Sequence, residues 1–260
     1  MARAPDWRQD LFDQYPPWDV MADPVRGDPA TQVIRDARLA AARARLPDGP
    51  ATAPCYRVWM NGRCLVVTKR ERRLDRFEAA AEASARRGWP VVVRDSGGTV
   101  VPHTPGTLLL TLILPRRPSP EPGADVVYQW LCAPVIEALD ALGITADYGA
   151  VPHSFCDGRF NLVVDGRKIA GTAQRWRGGL PGHAVHAGYV LAHLALYVAA
   201  DMEAATDAVN RFLHDAGRSA DFDPVAMTTV QAVVSSDLAA LPTQALHQHV
   251  RHTLLDVLRA

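Results

Sequence analysis

The stretch that decides the fold is FNLVVDGRKIAGTAQRW, residues 160–176. Its two apolar runs are separated by Asp165-Gly166, and an Asp-Gly pair between apolar runs is a strong hairpin signal because both turn positions need a positive φ. We therefore predict one strand over Phe160–Val164 and a second over Lys168–Trp176. Small residues at 170–173 leave space above the second strand, where a ligand could lie against the sheet.

Outward from this hairpin, strands and helices mix in an α+β pattern. Asn61-Gly62 predicts a further hairpin over Tyr56–Val67. Pro134 predicts either a kink in its helix or the start of a second one. Buried strands are predicted over Trp89–Arg94 and Thr107–Leu114, and a further strand over Ala184–Leu194. Helices are predicted over residues 29–46, 74–87, 125–142, 201–215 and 241–259.

The chain divides into three parts in this interpretation. Residues 1–25 are expected to be an irregular N-terminal segment and residues 26–215 the main domain. Residues 216–260 are expected to be a C-terminal helical extension packed on that domain, because even the ~60 residues of 201–260 are marginal as an independent core.

The composition argues against two classes of partner. The 28 basic and 28 acidic side chains give a formal net charge of zero, whereas a nucleic-acid-binding protein needs a basic surface. The apolar stretch Tyr189–Ala200 contains His193 and is too short to span a bilayer. We therefore predict no nucleic-acid partner and no membrane partner.

The four cysteines show neither a CxxC pair nor a closely spaced Cys/His group; they are Cys55, Cys64, Cys132 and Cys156. This spacing predicts no metal site and no disulfide framework, and it favours reduced thiols in the cytoplasm. Cys156 lies in a loop beside Arg159, whose charge would favour a reactive thiolate. The alternative interpretation of Cys156 is a buried, inert thiol.

Lysine is rare in this chain, with 26 Arg against only Lys69 and Lys168. Lys168 follows the Asp-Gly turn and enters the strand of small residues, where a compact ammonium could hold a carbonyl or phosphate oxygen. The alternative is a solvated lysine that protects an edge strand. Lys69 has no comparable motif around it and is expected at the surface.

Ser96-Gly97-Gly98 breaks the chain between two strands. Adjacent glycines let the backbone approach a ligand closely and expose N–H groups to an anion. A tight turn explains the same residues, and His103 alone is equally compatible with a hydrogen-bonded structural histidine.

Taken in order, Arg94 to Gly98, His103 and DGRKIAGTAQ at 165–174 resemble the lipoate-protein ligase A and octanoyltransferase family of cofactor transferases. The resemblance covers about Tyr56 to Leu194. It implies a catalytic domain like that of biotin/lipoate protein ligases, with helices flanking a curved, mixed or antiparallel sheet that cradles an acyl chain. It also implies that Lys168 contacts the carbonyl of the acyl group. The residues implied to bind the acyl chain are Arg94, Ser96, Gly97, Gly98, His103, Gly171, Thr172 and Ala173.

A second resemblance concerns the cysteine. Ser154-Phe155-Cys156-Asp157-Gly158 is similar to the Ser-Tyr-Cys-Pro-Gly segment of the octanoyl/lipoyl amidotransferase branch, where the cysteine is the nucleophile. The chain departs from the ATP-using ligases at Phe160-Asn161, which replaces an Asn-Asp pair, at Leu109, which replaces an Asn, and at 185–188, which replaces a His-His-Gly-Thr run.

The resemblance therefore implies a protein lipoylation enzyme that passes an octanoyl or lipoyl group through a Cys156 thioester to a lysine of a lipoyl-domain protein. His103 or His153 would manage the proton. The alternatives are an ATP-dependent lipoate-protein ligase and a non-catalytic lipoyl-binding module.

The expected partners are a lipoyl-domain protein (an H protein or an E2 subunit) and an acyl carrier protein. We expect a monomer without a tightly bound cofactor or metal. ATP and Mg²⁺ enter only in the ligase alternative.

Overall fold

A computed structural model of the chain describes residues 6–15, 17–23, 27–44, 53–116, 122–178 and 188–260. Its framework is a seven-stranded mixed sheet beside a smaller three-stranded sheet. With strands numbered in chain order, the large sheet runs β1 (Asp19–Ala22), β2 (Cys55–Met60), β6 (Thr107–Pro115), β10 (Tyr189–Tyr197), β9 (Arg167–Arg177), β8 (Asn161–Val164) and β7 (Asp147–Gly149), and the small sheet runs β4 (Val91–Arg94), β3 (Cys64–Thr68) and β5 (Val101–His103).

Helices cover both faces of the large sheet. Helices α4 and α8 pack on one face, where they bury the main hydrophobic core, and α2 lies on the other face. The helices of the described residues are α1 (Trp7–Gln14), α2 (Pro29–Arg43), α3 (Phe77–Arg86), α4 (Ala124–Ala141), α5 (Met202–Asp215), α6 (Val230–Val233), α7 (Ser236–Ala239) and α8 (Thr243–Arg259). Within those residues, no helix is long and apolar enough to cross a membrane.

The hairpin at the centre of the sequence is confirmed. Strands β8 and β9 pair antiparallel, and the turn residues Asp165 and Gly166 have φ values of 48° and 72°. These are the left-handed conformations that an Asp-Gly turn adopts with little strain. The α+β fold is confirmed with it, because all neighbouring pairs of the large sheet are antiparallel except the parallel β1–β2 pair.

The hairpin predicted over Tyr56–Val67 is wrong, although both of its strands exist. Strand β2 pairs with β1 and β6 in the large sheet, whereas β3 pairs with β4 and β5 in the small one. Neither Asn61 nor Gly62 has a positive φ, so the two-residue turn that would fold β3 back onto β2 does not form. The two strands instead bury their side chains in separate hydrophobic clusters.

The remaining elements lie close to their predicted places, with three differences. The segment expected to be irregular contains α1 and β1, because Trp7 and Leu11 are buried in the main core. Helix α4 continues through Pro134 as one helix. The strand predicted to begin at Ala184 begins at Tyr189, and residues 179–187 lie outside the described part. The domain boundaries after residues 25 and 215 stay predictions.

Candidate active site

A cavity lies between the large sheet, α2 and the small sheet. Strand register explains its floor, because residues directly opposite one another on paired strands share a face of the sheet. One row of facing residues is Trp59, Leu109, Ala195 and Gly171, and the next is Arg57, Thr111, His193 and Ala173. The small side chains of β9 and β10 leave the open space that the sequence predicted.

Cys156 lies at the β9 end of this cavity, in a turn that the backbone does not adopt freely. Its φ is 51°, a left-handed conformation that costs a non-glycine residue about 1–3 kcal/mol. The turn is held because Cys156 N donates to Thr99 Oγ1 at 3.0 Å. The thiol is half-buried, and it lines both the cavity and an adjoining open groove.

Gly98 makes room for the cysteine sulfur. A Cβ at Gly98 would lie 2.3 Å from Cys156 Sγ and 2.8 Å from Arg94 Nη2, far inside contact distance. Gly98 also has a φ of 102°, which an L side chain rarely adopts. At Gly97, by contrast, an added Cβ would meet no atom within 4 Å. Of the two glycines, Gly98 is therefore the one that the sulfur requires.

Arg94 brings a positive charge to the thiol. Its Nη2 donates to the backbone oxygens of Gly97 and Thr99, at 2.9 and 3.1 Å, and lies 3.9 Å from Cys156 Sγ. A guanidinium at this distance stabilises negative charge that develops on the sulfur. The loop carbonyls fix the guanidinium in place, so its charge stays directed at Cys156.

Lys168 is the buried cation of the site. Its side chain is fully buried, and Nζ donates to Phe155 O and, at 3.1 Å, to Cys156 O. Burial lowers the pKa of this ammonium to about 8. Gly171 lies beside it, since an added Cβ there would be 3.0 Å from Nζ. The ammonium is thus joined to the cysteine turn and has open space on its other side.

Asn161 braces the cysteine turn against β9. Its Nδ2 donates to Cys156 O at 3.3 Å and its Oδ1 accepts from Thr172 N at 3.2 Å. A carboxylate can only accept hydrogen bonds, so Asp at this position could not make the first contact. The sequence had singled out Asn161 only as a departure from the ligase pattern; the structure gives it a positioning role.

His103 is buried, and its Nδ1 makes a hydrogen bond to one side chain. Its Nδ1 lies 3.1 Å from Asn61 Nδ2, an amide that can only donate, so Nδ1 accepts. Burial, followed by the charge of Arg94, lowers the pKa of His103 to about 3, which keeps the imidazole neutral. His153 is exposed, contacts Asp221 and is not among the cavity residues. His153 therefore lies outside the cavity that contains Cys156, whereas a proton-carrying role for His103 stays a prediction.

The structure brings the predicted site residues together. The cavity is lined by Arg94, Ser96, His103, Cys156, Lys168, Gly171, Thr172 and Ala173. Gly97 and Gly98 line the adjoining groove together with Cys156. Within the described part of the chain, no group of three or more His, Cys, Asp and Glu side chains could hold a metal ion.

Sequence reasoning missed the polar residues at the opposite, β2 side of the cavity. Asp36 is buried on α2, where Arg57 Nη1 and, at 2.6 Å, Thr111 Oγ1 donate to it. His193 Nδ1 lies 3.3 Å from the same carboxylate. Burial alone raises the pKa of Asp36, but the bonds and charges of these neighbours outweigh it and lower the pKa. The signal that the sequence offered was an acidic residue, Asp36, among the apolar positions of the helix predicted over residues 29–46.

Two cavity hydroxyls were also missed as unpaired groups. Ser96 Oγ and Tyr197 OH are buried, and neither has a hydrogen-bond partner among the described residues. Both residues line the cavity that contains Cys156. Ser96 was predicted from its motif, whereas Tyr197 sits in an apolar strand and gives no signal in the sequence.

This arrangement suits attack on the carbonyl of an apolar acyl group. The thiol has a cation beside it, a second cation joined to its own turn, and an open apolar cavity next to it. A covalent intermediate on such a thiol divides a difficult acyl exchange into two easier steps.

Comparisons with known proteins agree with this chemistry. The sequence profile of the family described as the lipoyl protein ligase A/B catalytic domain matches residues 28–255. The octanoyl-[GcvH]:protein N-octanoyltransferase of Kyrpidia tusciae is 40% identical over 209 residues, which cover 80% of this chain and 70% of that protein.

Two solved structures have the same fold. Lipoate-protein ligase A bound with ATP is 14% identical, with a TM-score of 0.60 over 93% of this chain and 86% of that one. A bipartite lipoate protein ligase from Thermoplasma acidophilum, described along with its E2 lipoyl domain, is 15% identical, with a TM-score of 0.57 over 93% of this chain and 84% of that one. At these identities the likeness shows the fold alone.

Proposed function

The chain belongs to the lipoyl protein ligase A/B catalytic domain family, and from that premise we propose that it transfers an octanoyl or lipoyl group through a thioester on Cys156 to a lysine of a lipoyl-domain protein. The relative from Kyrpidia tusciae is named for octanoyl transfer from GcvH to protein, which supports a lipoyl-domain protein as partner. The chain is thus an enzyme of the acyltransferase or ligase type.

The convergence on Cys156 Sγ carries this proposal. Gly98 leaves the space that the sulfur occupies, and Arg94 Nη2 lies beside the sulfur. Lys168 Nζ donates a hydrogen bond to the backbone oxygen of Cys156. None of these three features is needed by an inert thiol. The other three cysteines are buried, and burial raises the pKa of Cys55 to about 11 and of Cys64 to about 12 and raises that of Cys132, so they stay protonated at neutral pH.

In the first half-reaction, the thiolate form of Cys156, which is the nucleophilic form of a cysteine, adds to the carbonyl carbon of the acyl donor. Lys168 is suited to give a proton to the leaving amine, because its pKa is lowered to about 8, close to neutral pH. An ammonium has three donors and the neutral amine keeps two. Lys168 can therefore release one proton and still hold the carbonyls of Phe155 and Cys156.

In the second half-reaction, the neutral ε-amine of the acceptor lysine attacks the thioester, the C–S bond breaks and Cys156 leaves as a thiolate. The neutral Lys168 takes up the proton that the amine loses, which restores the ammonium. The open groove beside Cys156 gives this amine its approach, since Gly158, Phe160 and Thr172 line the groove together with the cysteine. The acyl chain meanwhile lies over Gly171, Ala173 and Ala195 in the apolar cavity. Each buried CH₂ contributes about 0.8 kcal/mol, so chain length contributes strongly to binding.

Intact-mass analysis tests this function. The protein is incubated with an octanoylated lipoyl-domain protein, and we expect it to gain one octanoyl group that hydroxylamine removes and that a second lipoyl-domain protein accepts. Cys156→Ala should gain none, while Cys132→Ala, a matched loss of a thiol, should gain one. A Cys156→Ala protein that transfers at the wild-type rate would exclude the thioester route.

The ATP-dependent ligase is the second candidate, because the fold is shared with a ligase solved with ATP. Asn161 speaks against it in this chain, since its amide braces the cysteine turn where ligases carry the acidic group of an Asn-Asp pair. Lipoate-dependent release of pyrophosphate from ATP by Cys156→Ala would establish the ligase instead. Three further points stay predictions: the acyl carrier protein as donor, the monomeric state and the location in the cytoplasm.

A further inference from the structure

The hydroxyl of Tyr197 is an unpaired polar group in an otherwise apolar setting. The residue is 1% exposed, and its OH has no hydrogen-bond partner among the described residues. A buried donor without a partner destabilises a protein and is rare in native structures. Because Tyr197 lines the cavity, a bound ligand can supply the missing acceptor.

Three observations place this hydroxyl at the Cys156 end of the cavity. Tyr197 follows Ala195 by two residues on β10, and Ala195 faces Gly171, the residue beside Lys168 Nζ. Tyr197 also belongs to the hydrophobic cluster that contains Phe155. Finally, Cys156 contributes to the electrostatic environment of the phenol. The ring thus reaches toward the reacting end rather than toward the far end of the acyl chain.

The phenol is available as a hydrogen-bond donor there. Burial, and after it the neighbouring Cys156, raises the pKa of Tyr197, so the O–H stays protonated at neutral pH. The two cationic groups nearby are engaged, because Arg94 Nη2 holds two loop carbonyls and Lys168 Nζ holds two more. Ser96 Oγ is the second unpaired hydroxyl of the cavity. If Lys168 releases its third proton to the leaving group, an additional neutral donor is needed for the carbonyl oxygen.

We propose that the Tyr197 hydroxyl is a catalytic group that donates a hydrogen bond to the carbonyl oxygen of the bound acyl group. As the bond from Cys156 Sγ to the carbonyl carbon forms, the π electron pair moves to this oxygen and the O–H stabilises the resulting oxyanion. When the pair returns, the bond to the donor amine breaks and the amine leaves with a proton from Lys168. Tyr197 keeps its own proton throughout.

The proposal rests on the proposed function and is tested with Tyr197→Phe, which removes only the hydroxyl. We expect single-turnover acylation of Cys156 by an octanoylated lipoyl-domain protein to slow about 10- to 100-fold, at or somewhat below the range known for loss of one oxyanion donor. The effect should fall on kcat rather than KM. The melting temperature should stay the same or rise, because an unpaired buried hydroxyl is lost.

Tyr56→Phe is the matched control. Tyr56 OH donates to Trp130 O at 2.7 Å in the core, so this variant should melt at a lower temperature and acylate at the wild-type rate. The two variants therefore shift stability and rate in opposite ways.

The following results would overturn the proposal. A Tyr197→Phe rate within twofold of wild type would overturn the proposal, as would a slower rate together with a lower melting temperature, which indicates a structural hydroxyl. An effect on KM alone would also overturn it. If the wild-type protein forms no acyl-enzyme in the same experiment, the proposed function fails, and the Tyr197 proposal fails with it.

Discussion

The two ends of the cavity are built on opposite principles. At the β2 side, Arg57 donates to Asp23, Gln32 and Asp36, and Asp36 also accepts from Thr111, so the buried polar groups satisfy one another. At the β9 end, hydroxyls remain unpaired and the backbone is strained at Cys156. Paired groups stabilise the fold, whereas unpaired and strained groups are what a reacting ligand requires.

This contrast separates the polar residues that stabilise the fold from those that serve the reaction. The Arg57 network anchors α2 to the sheet and so closes the cavity, because Asp36 and Gln32 belong to the helix and Arg57 to β2. The Cys156 end stores unfavourable features that the rest of the fold must hold in place. Substitutions at the first end should therefore lower stability, and substitutions at the second should lower activity.

Cys156→Gly gives the largest expected effect and the sharpest contrast. Acyl transfer should fall by about 10⁴-fold or more, since nucleophiles of this kind contribute on that order. Stability should rise by about 1 kcal/mol, because glycine adopts the positive φ of this turn without strain. Urea unfolding and the transfer rate, measured on the same sample, check both signs; a less stable Cys156→Gly protein would contradict the strained turn.

Arg57→Met tests the opposite end. Removing this cation leaves Asp36 and Asp23 buried without their main partner, and breaking such a pair costs about 3–5 kcal/mol. We expect that loss in urea unfolding. Arg35→Met is the control, since Arg35 contacts the same Asp23 from a side chain that is 41% exposed, and exposed pairs contribute about 1 kcal/mol or less. Equal losses in the two variants would contradict the anchoring role.

Gly98→Ala should affect activity at the Cys156 end through overlap with the sulfur and through backbone strain at a φ of 102°. The added Cβ would overlap Cys156 Sγ and Arg94 Nη2, so the sulfur and its cation must move apart. We expect acylation to slow about 100-fold, in keeping with the cost of a misplacement of about 1 Å. Gly97→Ala, whose Cβ would enter open space, should acylate as wild type. Steady-state transfer assays on both variants check this, and similar rates in the two would count against it.

The pH dependence of stability gives the smallest expected effect. The pKa of Lys168 is about 8 in the fold against an ordinary 10.5. Below pH 8 the lysine is charged in both states and its burial is fully unfavourable, whereas above pH 10.5 it is neutral in both. Relative to Lys168→Met, the wild-type free energy of unfolding should therefore rise by about 2 kcal/mol between pH 7.5 and 10. Urea titrations at pH 7.5 and 10 check this; a flat difference would contradict a buried ammonium.

Local signals in the sequence predicted the elements that depend on neighbouring residues. The Asp165-Gly166 turn and its two strands are confirmed, because a two-residue loop with positive φ fixes the pairing of the strands it joins. The same signal failed at Asn61-Gly62, since the chain passes from one sheet to the other there. Whether a turn closes depends on where the flanking strands bury their side chains, which is a long-range property.

The sequence by itself determined the α+β fold, the family resemblance and the residues gathered at the reacting end, including Cys156, Lys168 and Gly98. Only the tertiary structure decided that the hydroxyl of Tyr197, on β10, lies at that end of the cavity without a hydrogen-bond partner among the described residues. It likewise decided that α2 places Asp36 beside Arg57 at the opposite end. The physical reason is that turn geometry and small side chains act on a few adjacent residues. Whether a buried polar group is satisfied depends on partners that only the folded chain brings together.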